Sequence, residues 1–146
     1  YVAVPSWHPL NRESYAKEGE EMRYLPIGAL QNQTFILTKP TKKTRMAADR
    51  ILSNLNGHYQ VGMESLNIET VIRLVAGGLG ISLVPNVFTK TYLTGDKVNY
   101  YQLEEQYAPR WQWAVIYNDS LSSLSRPSRE LYHILCDEGC CFPDYI

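Results

Sequence analysis

Long hydrophobic runs are missing from this chain of 146 residues, and no stretch approaches the ~20 apolar residues needed to cross a bilayer. No membrane partner is therefore expected. Cysteine is scarce, with all three within residues 136–141. An oxidised secreted scaffold spreads an even number along the chain, so a reducing compartment, the cytoplasm, is expected. Neither sign of charge dominates: 14 Lys and Arg stand against 15 Asp and Glu, for a net charge of -1. A free-standing nucleic-acid binder shows clustered basic residues, so contact with DNA is expected only through a module outside these residues. The opening Tyr1-Val2-Ala3-Val4 is too short for a signal-peptide core and has no basic segment before it. A start on Tyr rather than Met leads us to expect a processed product or a piece of a longer chain.

Enzyme motifs are missing too. There is no nucleophile elbow, no phosphate-binding Gly-x-x-x-x-Gly-Lys and no metalloprotease pattern. Gly77-Gly78-Leu79-Gly80 leads from a helix into a strand, the opposite polarity to a dinucleotide fingerprint. We expect neither catalysis nor a cofactor.

What is present is an ordinary globular composition, 45% hydrophobic and 20% charged, at the size of one compact domain. Residues 1–5 read as a short strand, with Pro5 and Pro9 breaking the backbone after it. Residues 11–23 are polar and read as loop with one helical turn. Pro26 precedes a turn at Ile27-Gly28-Ala29-Leu30, and Phe35-Ile36-Leu37-Thr38 is a strand ended by Pro40. Met46, Ala47, Arg50, Ile51 and Leu55 fall at helical spacing, with Asn56-Gly57 as the stop. The alternation Tyr59, Val61, Met63 predicts a half-buried strand over 58–65. Ile68, Val71, Ile72 and Val75 recur at i, i+3, i+4, i+7, one face of an amphipathic helix. A buried strand at 81–84 follows, then strands at 98–103 and 111–117 and a helix over 125–136 using Leu131, Ile134 and Leu135. Alternating strands and helices with short loops predict an α/β fold built from βα units around a parallel sheet.

Residues 68–85 read Ile-Glu-Thr-Val-Ile-Arg-Leu-Val-Ala-Gly-Gly-Leu-Gly-Ile-Ser-Leu-Val-Pro. The helix must stop abruptly, so Gly77, Gly78 and Gly80 are expected to take dihedrals that side chains disfavour. This segment resembles the second regulatory subdomain of LysR-type transcriptional regulators. The flanks agree in order and spacing: Val2-Ala3-Val4-Pro5 and His8-Pro9-Leu10, Phe35-Ile36-Leu37-Thr38, then Arg45 with Ile51-Leu52. The resemblance covers residues 1 to about 135. It implies a periplasmic-binding-protein-like (type II) subdomain with a Rossmann-like parallel sheet. Residues 1–103 would form regulatory subdomain II with its crossover strands. Residues 104–146 would form the C-terminal part of subdomain I and a tail. It also implies a sensor that binds a small metabolite and controls transcription through an N-terminal winged helix-turn-helix not in this sequence. A solute-binding protein of a transporter shares the fold and is the alternative. Family members pair subdomain I of one chain with subdomain II of another, so a homo-oligomer is expected. Trp113, Val115 and Ile116 on the 111–117 strand are the apolar residues such contacts would cover.

The most informative polar stretch is Thr38-Lys39-Pro40-Thr41-Lys42-Lys43-Thr44-Arg45, which joins a strand end to a helix start. Unpaired amides and the helix dipole favour an anion there, and in open α/β sheets ligands bind at the C-terminal strand ends. Thr38, Lys39, Pro40, Thr41, Lys42 and Thr44 are therefore expected to bind the effector, in the family often a small carboxylate. The alternative is a solvated turn with Thr41 or Thr44 as N-cap. Ser65 ends a second strand, as an effector contact or as N-cap of the next helix. Asn86 follows a third strand, in the site or in a turn. His133, Cys136, Cys140 and Cys141 have a spacing that zinc can use. They sit in one short segment, however, and we expect free cysteines and no metal. His8, between Trp7 and Pro9, is expected to be a turn residue.

Overall fold

The computed structural model describes residues 1–89, 95–109 and 125–135, and the chain divides into two units, Tyr1–Pro109 and Arg110–Ile146. In the first unit the order is β1 (Val2–Pro5), a 3-10 turn (Pro9–Glu13), β2 (Tyr15–Ala16), β3 (Arg23–Tyr24) and a turn (Ile27–Leu30). Then come β4 (Thr34–Thr38), α1 (Lys43–Leu52), β5 (Gln60–Ser65), α2 (Ile68–Ala76), β6 (Ser82–Leu83), a turn (Asn86–Phe88) and β7 (Val98–Tyr101).

β4 and β5 pair in parallel, Thr34 opposite Gln60 and Thr38 opposite Ser65. Ile81, at the entrance to β6, bridges Phe35 in parallel. Its N–H donates to the Thr34 carbonyl at 2.9 Å, and its own carbonyl accepts from Ile36 N–H at 2.8 Å. β6 and β7 both pair with β1 antiparallel. The spatial order is thus β5-β4-β6-β1-β7. The α/β fold and the parallel units are as the sequence predicts, with one correction: the sheet is mixed, because β1 runs against its neighbours. Helical crossovers dictate parallel strands from β4 to β6, whereas β1 is joined to β4 through 3-10 turns and the β2–β3 pair rather than by a crossover helix.

Each face of the sheet has its own core. Phe35 and Leu37 pack with Ala48, Ile51 and Leu52 of α1, while Ile36 packs with Val71, Ile72 and Val75 of α2. β4 is buried on both faces, hence its uninterrupted apolar run. The predicted stripe of α2 is the packed one, with Val71, Ile72 and Val75 fully buried. After α2, Gly78 (φ +81°) and Gly80 (φ +155°) take the backbone region expected of them. Gly77 does not; at φ -80°, ψ -4° it is an ordinary helical residue. At Gly80 space is the tighter restriction, since a Cβ there would lie 2.5 Å from the Thr34 carbonyl oxygen.

Three other differences have local causes. The polar stretch 11–23 contains the short β2–β3 pair, held by the stacked rings of Tyr15 and Tyr24 at 5.8 Å. Two aromatics nine residues apart leave no periodic trace. Met63 does not continue the packed side that Tyr59 and Val61 begin and is 44% exposed, because the β4–β5 register shifts between Phe35 and Ile36 and leaves Gly62 as an extra residue. The predicted stop after α1 is met one turn later: a 3-10 turn (Ser53–Leu55) intervenes before Asn56 (φ +51°) and Gly57 (φ +79°).

The predicted strand at 111–117 lies outside the described residues. In the second unit α3 (Arg126–Leu135) forms as expected, with Leu131 and Ile134 exposed. Among the described residues no helix is long and apolar enough to cross a membrane.

Candidate functional site

Because β4, β5 and β6 run the same way, their C-terminal ends share one sheet edge. Thr38 ends β4, Ser65 ends β5, and Asn86 opens the turn after β6. All eight residues predicted to bind the effector therefore lie along this edge or in the loop and first helical turn that leave it.

The loop after Thr38 is a tight turn. Lys42 N–H donates to the Lys39 carbonyl at 3.0 Å, closing a four-residue turn with Pro40 at its second position, where the fixed φ of proline fits. Lys39 N–H donates to the Ser65 carbonyl at 2.9 Å, tying the ends of β4 and β5 together. Lys39, Pro40, Thr41 and Lys42 are all exposed.

Neither Thr41 nor Thr44 is the N-cap of α1, which corrects the alternative reading of both. That position is held by Lys42, whose side chain makes no capping bond. Thr44 lies inside the first turn, its Oγ1 2.7 Å from Thr38 Oγ1. One hydroxyl donates to the other, so the pair retains one O–H for a further acceptor. Thr38 is 4% exposed, which makes it the buried member. Ser65 is not an N-cap either. Asn67 caps α2, its Oδ1 accepting from Glu69 N–H at 2.8 Å, while Ser65 Oγ accepts from Asn67 N–H at 3.2 Å. Asn86 is exposed, and its carbonyl accepts the N–H and hydroxyl of Thr89 at 3.0 and 2.7 Å. It is a turn residue standing at the expected edge. His8 also takes its expected turn role, its Nδ1 accepting from Leu10 N–H at 3.2 Å.

The two helix starts on this edge differ electrostatically. α2 has a side-chain cap and an acid, Glu69, in its first turn. α1 has neither, so its first amides and partial positive charge face outward. Around them, Lys39, Lys42 and Lys43 make no ion pair among the described residues.

Arg45 belongs to the informative polar stretch but not to the residues expected to bind the effector, and Glu64 carries no mark in the sequence. Arg45 donates to Asp49 Oδ1 at 2.8 Å, to the Thr38 carbonyl at 3.1 Å and to Glu64 Oε1. Burial alone would lower its pKa, but bonds to Glu64 and Asp49 outweigh this and raise it. Its charge is thus committed within the fold. The i, i+4 spacing of Arg45 and Asp49 was visible in sequence. The approach of Glu64 depends on the β4–β5 register. The zinc-like spacing has His133 in α3, while Cys136, Cys140 and Cys141 lie outside the described residues.

Residues 6–135 match the family model of the LysR substrate binding domain. No curated protein matches the chain. Among solved structures, the CcmR regulatory domain of Synechocystis PCC6803 in complex with 2-PG is similar at 23% identity and TM-score 0.58, over 71% of this chain and 46% of that one. HinK, a LysR family transcriptional regulator from Pseudomonas aeruginosa, is similar at 18% identity and TM-score 0.57, over 95% and 44%. The BenM effector binding domain with benzoate is similar at 21% identity and TM-score 0.55, over 97% and 61%. The chain therefore spans about half the length of these structures, and at such identities the likeness is one of fold. The family match favours a regulator's domain over a transporter's solute-binding protein. With the matched segment covering nearly its whole length, the chain belongs to the LysR substrate-binding domain family.

Proposed function

We propose that this chain is the effector-sensing part of a LysR-type transcriptional regulator. It takes a small anionic metabolite at the edge formed by the ends of β4, β5 and β6. The observation that carries this is the start of α1, an uncapped helix N-terminus bordered by three lysines that make no ion pair among the described residues and a hydroxyl pair with an O–H to give. Lys39, Pro40 and Thr41 shape and charge the turn, Lys42 and Thr44 flank the open amides, and Thr38 supports Thr44. Ser65 and Asn86 mark the neighbouring strand ends. CcmR is solved with 2-PG and BenM with its effector benzoate, a small carboxylate, which supports this class of ligand. Residues 1–103 would be subdomain II and 104–146 the C-terminal part of subdomain I. The regulator would be a cytoplasmic homo-oligomer without enzymatic activity that meets DNA only through a winged helix-turn-helix outside these residues. Effector binding would act by favouring one arrangement of that oligomer.

Titration of the full-length regulator with a panel of small carboxylates and phosphates, followed by calorimetry, tests the site. The double variant Lys39→Gln/Lys42→Gln should lose at least tenfold in affinity for any acid that binds, with its melting temperature unchanged. Equal affinity in the variant moves the site elsewhere.

A further inference from the structure

We propose that Arg45 is a positioning residue: it clamps the turn at residues 39–42 in its ligand-ready form without touching the ligand. The inference rests on the reading of that edge as the effector site, and extends it to a residue whose charge is already spent inside the fold.

The arginine side chain is only 13% exposed, and its fork spans three elements. Nε reaches Asp49 one turn along α1, and Nη1 reaches both the Thr38 carbonyl and Glu64 of β5. Thr38 is the residue from which the turn departs, and Lys39 N–H bonds to Ser65, the residue after Glu64. The clamp thus fixes both strand ends on which the turn stands. With Glu64 and Asp49 both paired to it, the guanidinium offers an incoming anion little net charge. Its contribution must come through geometry, and a planar fork does this where a lysine's single ammonium cannot. α2 carries an Arg73–Glu69 pair at 2.7 Å with Arg73 74% exposed, which joins one helix to itself and positions nothing.

Amide hydrogen exchange and NMR titration of the whole chain with inorganic phosphate and with benzoate test this. In Arg45→Gln and Arg45→Lys, the Lys39 and Lys42 amides should exchange at least tenfold faster, and those of Val71 and Ile72 should not change. Phosphate or benzoate shifts at the Lys43 and Thr44 amides should need about tenfold more ligand to saturate in both variants. Glu64→Gln, on the exposed strand, should give a smaller change in the same direction, and Arg73→Gln none. Wild-type affinity and exchange in Arg45→Lys overturn the proposal, since a retained charge without the fork would then suffice. No saturable shift in the wild type with either probe counts against the effector-site reading, while the exchange measurement still decides whether Arg45 holds the turn.

Discussion

The hydroxyl pair Thr38–Thr44 can be separated into its structural and ligand-facing parts. In Thr44→Val the buried Thr38 hydroxyl loses its partner at nearly constant volume, and at 4% exposure water does not replace it freely. Leaving a buried hydroxyl unpaired costs ~1–3 kcal/mol, and we expect about 2. In Thr38→Val the orphan is Thr44, which is half-buried and reachable by water, so about 1 kcal/mol is expected. The double variant removes both groups and should cost about 1 kcal/mol rather than 3, a coupling of roughly 2 kcal/mol. Urea unfolding of the four proteins at constant m-value measures this directly. Additivity of the single changes within ~0.3 kcal/mol would show that the hydroxyls act independently and refute the pairing. The same variants report on the site. If Thr44 passes its free O–H to an anion, Thr44→Val should weaken effector binding by roughly ten- to a hundredfold, the equivalent of ~1.5–3 kcal/mol for a charged acceptor. A full loss of stability with unchanged effector affinity would leave the pair a purely structural feature.

Gly80→Ala should be among the most damaging single changes, costing about 3 kcal/mol or more in urea unfolding, because the added methyl meets the Thr34 backbone at an unfavourable φ; a cost below ~1 kcal/mol would contradict that packing. Ser82→Ala should raise the melting temperature or leave it unchanged, since the Ser82 hydroxyl is fully buried with no hydrogen-bond partner among the described residues; a clear fall would mean that the hydroxyl has a partner. Burial lowers the pKa of His8 from its ordinary value, so the folded form binds the proton less readily than the unfolded chain. The stability this gives is present above pH ~6.5 and is lost as pH falls through the folded pKa. His8→Asn, which keeps a capping acceptor but does not titrate, should show a smaller drop in melting temperature between pH 7.5 and 5 than the wild type, and an equal drop would dismiss His8 as a contributor.

How much of this was legible in sequence depends on how local the cause is. The stripe Ile68, Val71, Ile72, Val75 gave α2 its face because helix period and burial act on the same few residues. The Asn56-Gly57 stop and the turn after Pro26 were equally local. β1 was seen as a strand, but periodicity says nothing of its direction. The alternative readings of Thr41, Thr44 and Ser65 as caps fail for a related reason: Ser, Thr and Asn all suit the start of a helix, and only the path of the chain selects Asn67 over Ser65 and leaves Lys42 at the start of α1. The edge of the site was readable from strand ends. Arg45 as a clamp was not, since its acceptors Thr38 and Glu64 are 26 residues apart and meet only through the pairing of β4 with β5.

The extra residue in β5 sets the phase of everything after it. Up to Val61, which pairs with Phe35, the strand follows simple alternation toward α1. Past Gly62 the partners become Ile36–Met63 and Leu37–Glu64. That shift puts Glu64 on the side of Leu37 and α1, where Arg45 can reach it, and gives Met63 the opposite side. An unbroken strand that included Gly62 would exchange the two, sending the thioether toward α1 and the carboxylate away from Arg45. The contact therefore depends on Gly62 staying out of the ladder rather than on any side chain at that position. Deleting the glycine would restore a regular strand with the same partners, Ile36–Met63 and Leu37–Glu64, and keep the carboxylate beside Arg45, whereas drawing Gly62 into the ladder would turn the carboxylate away.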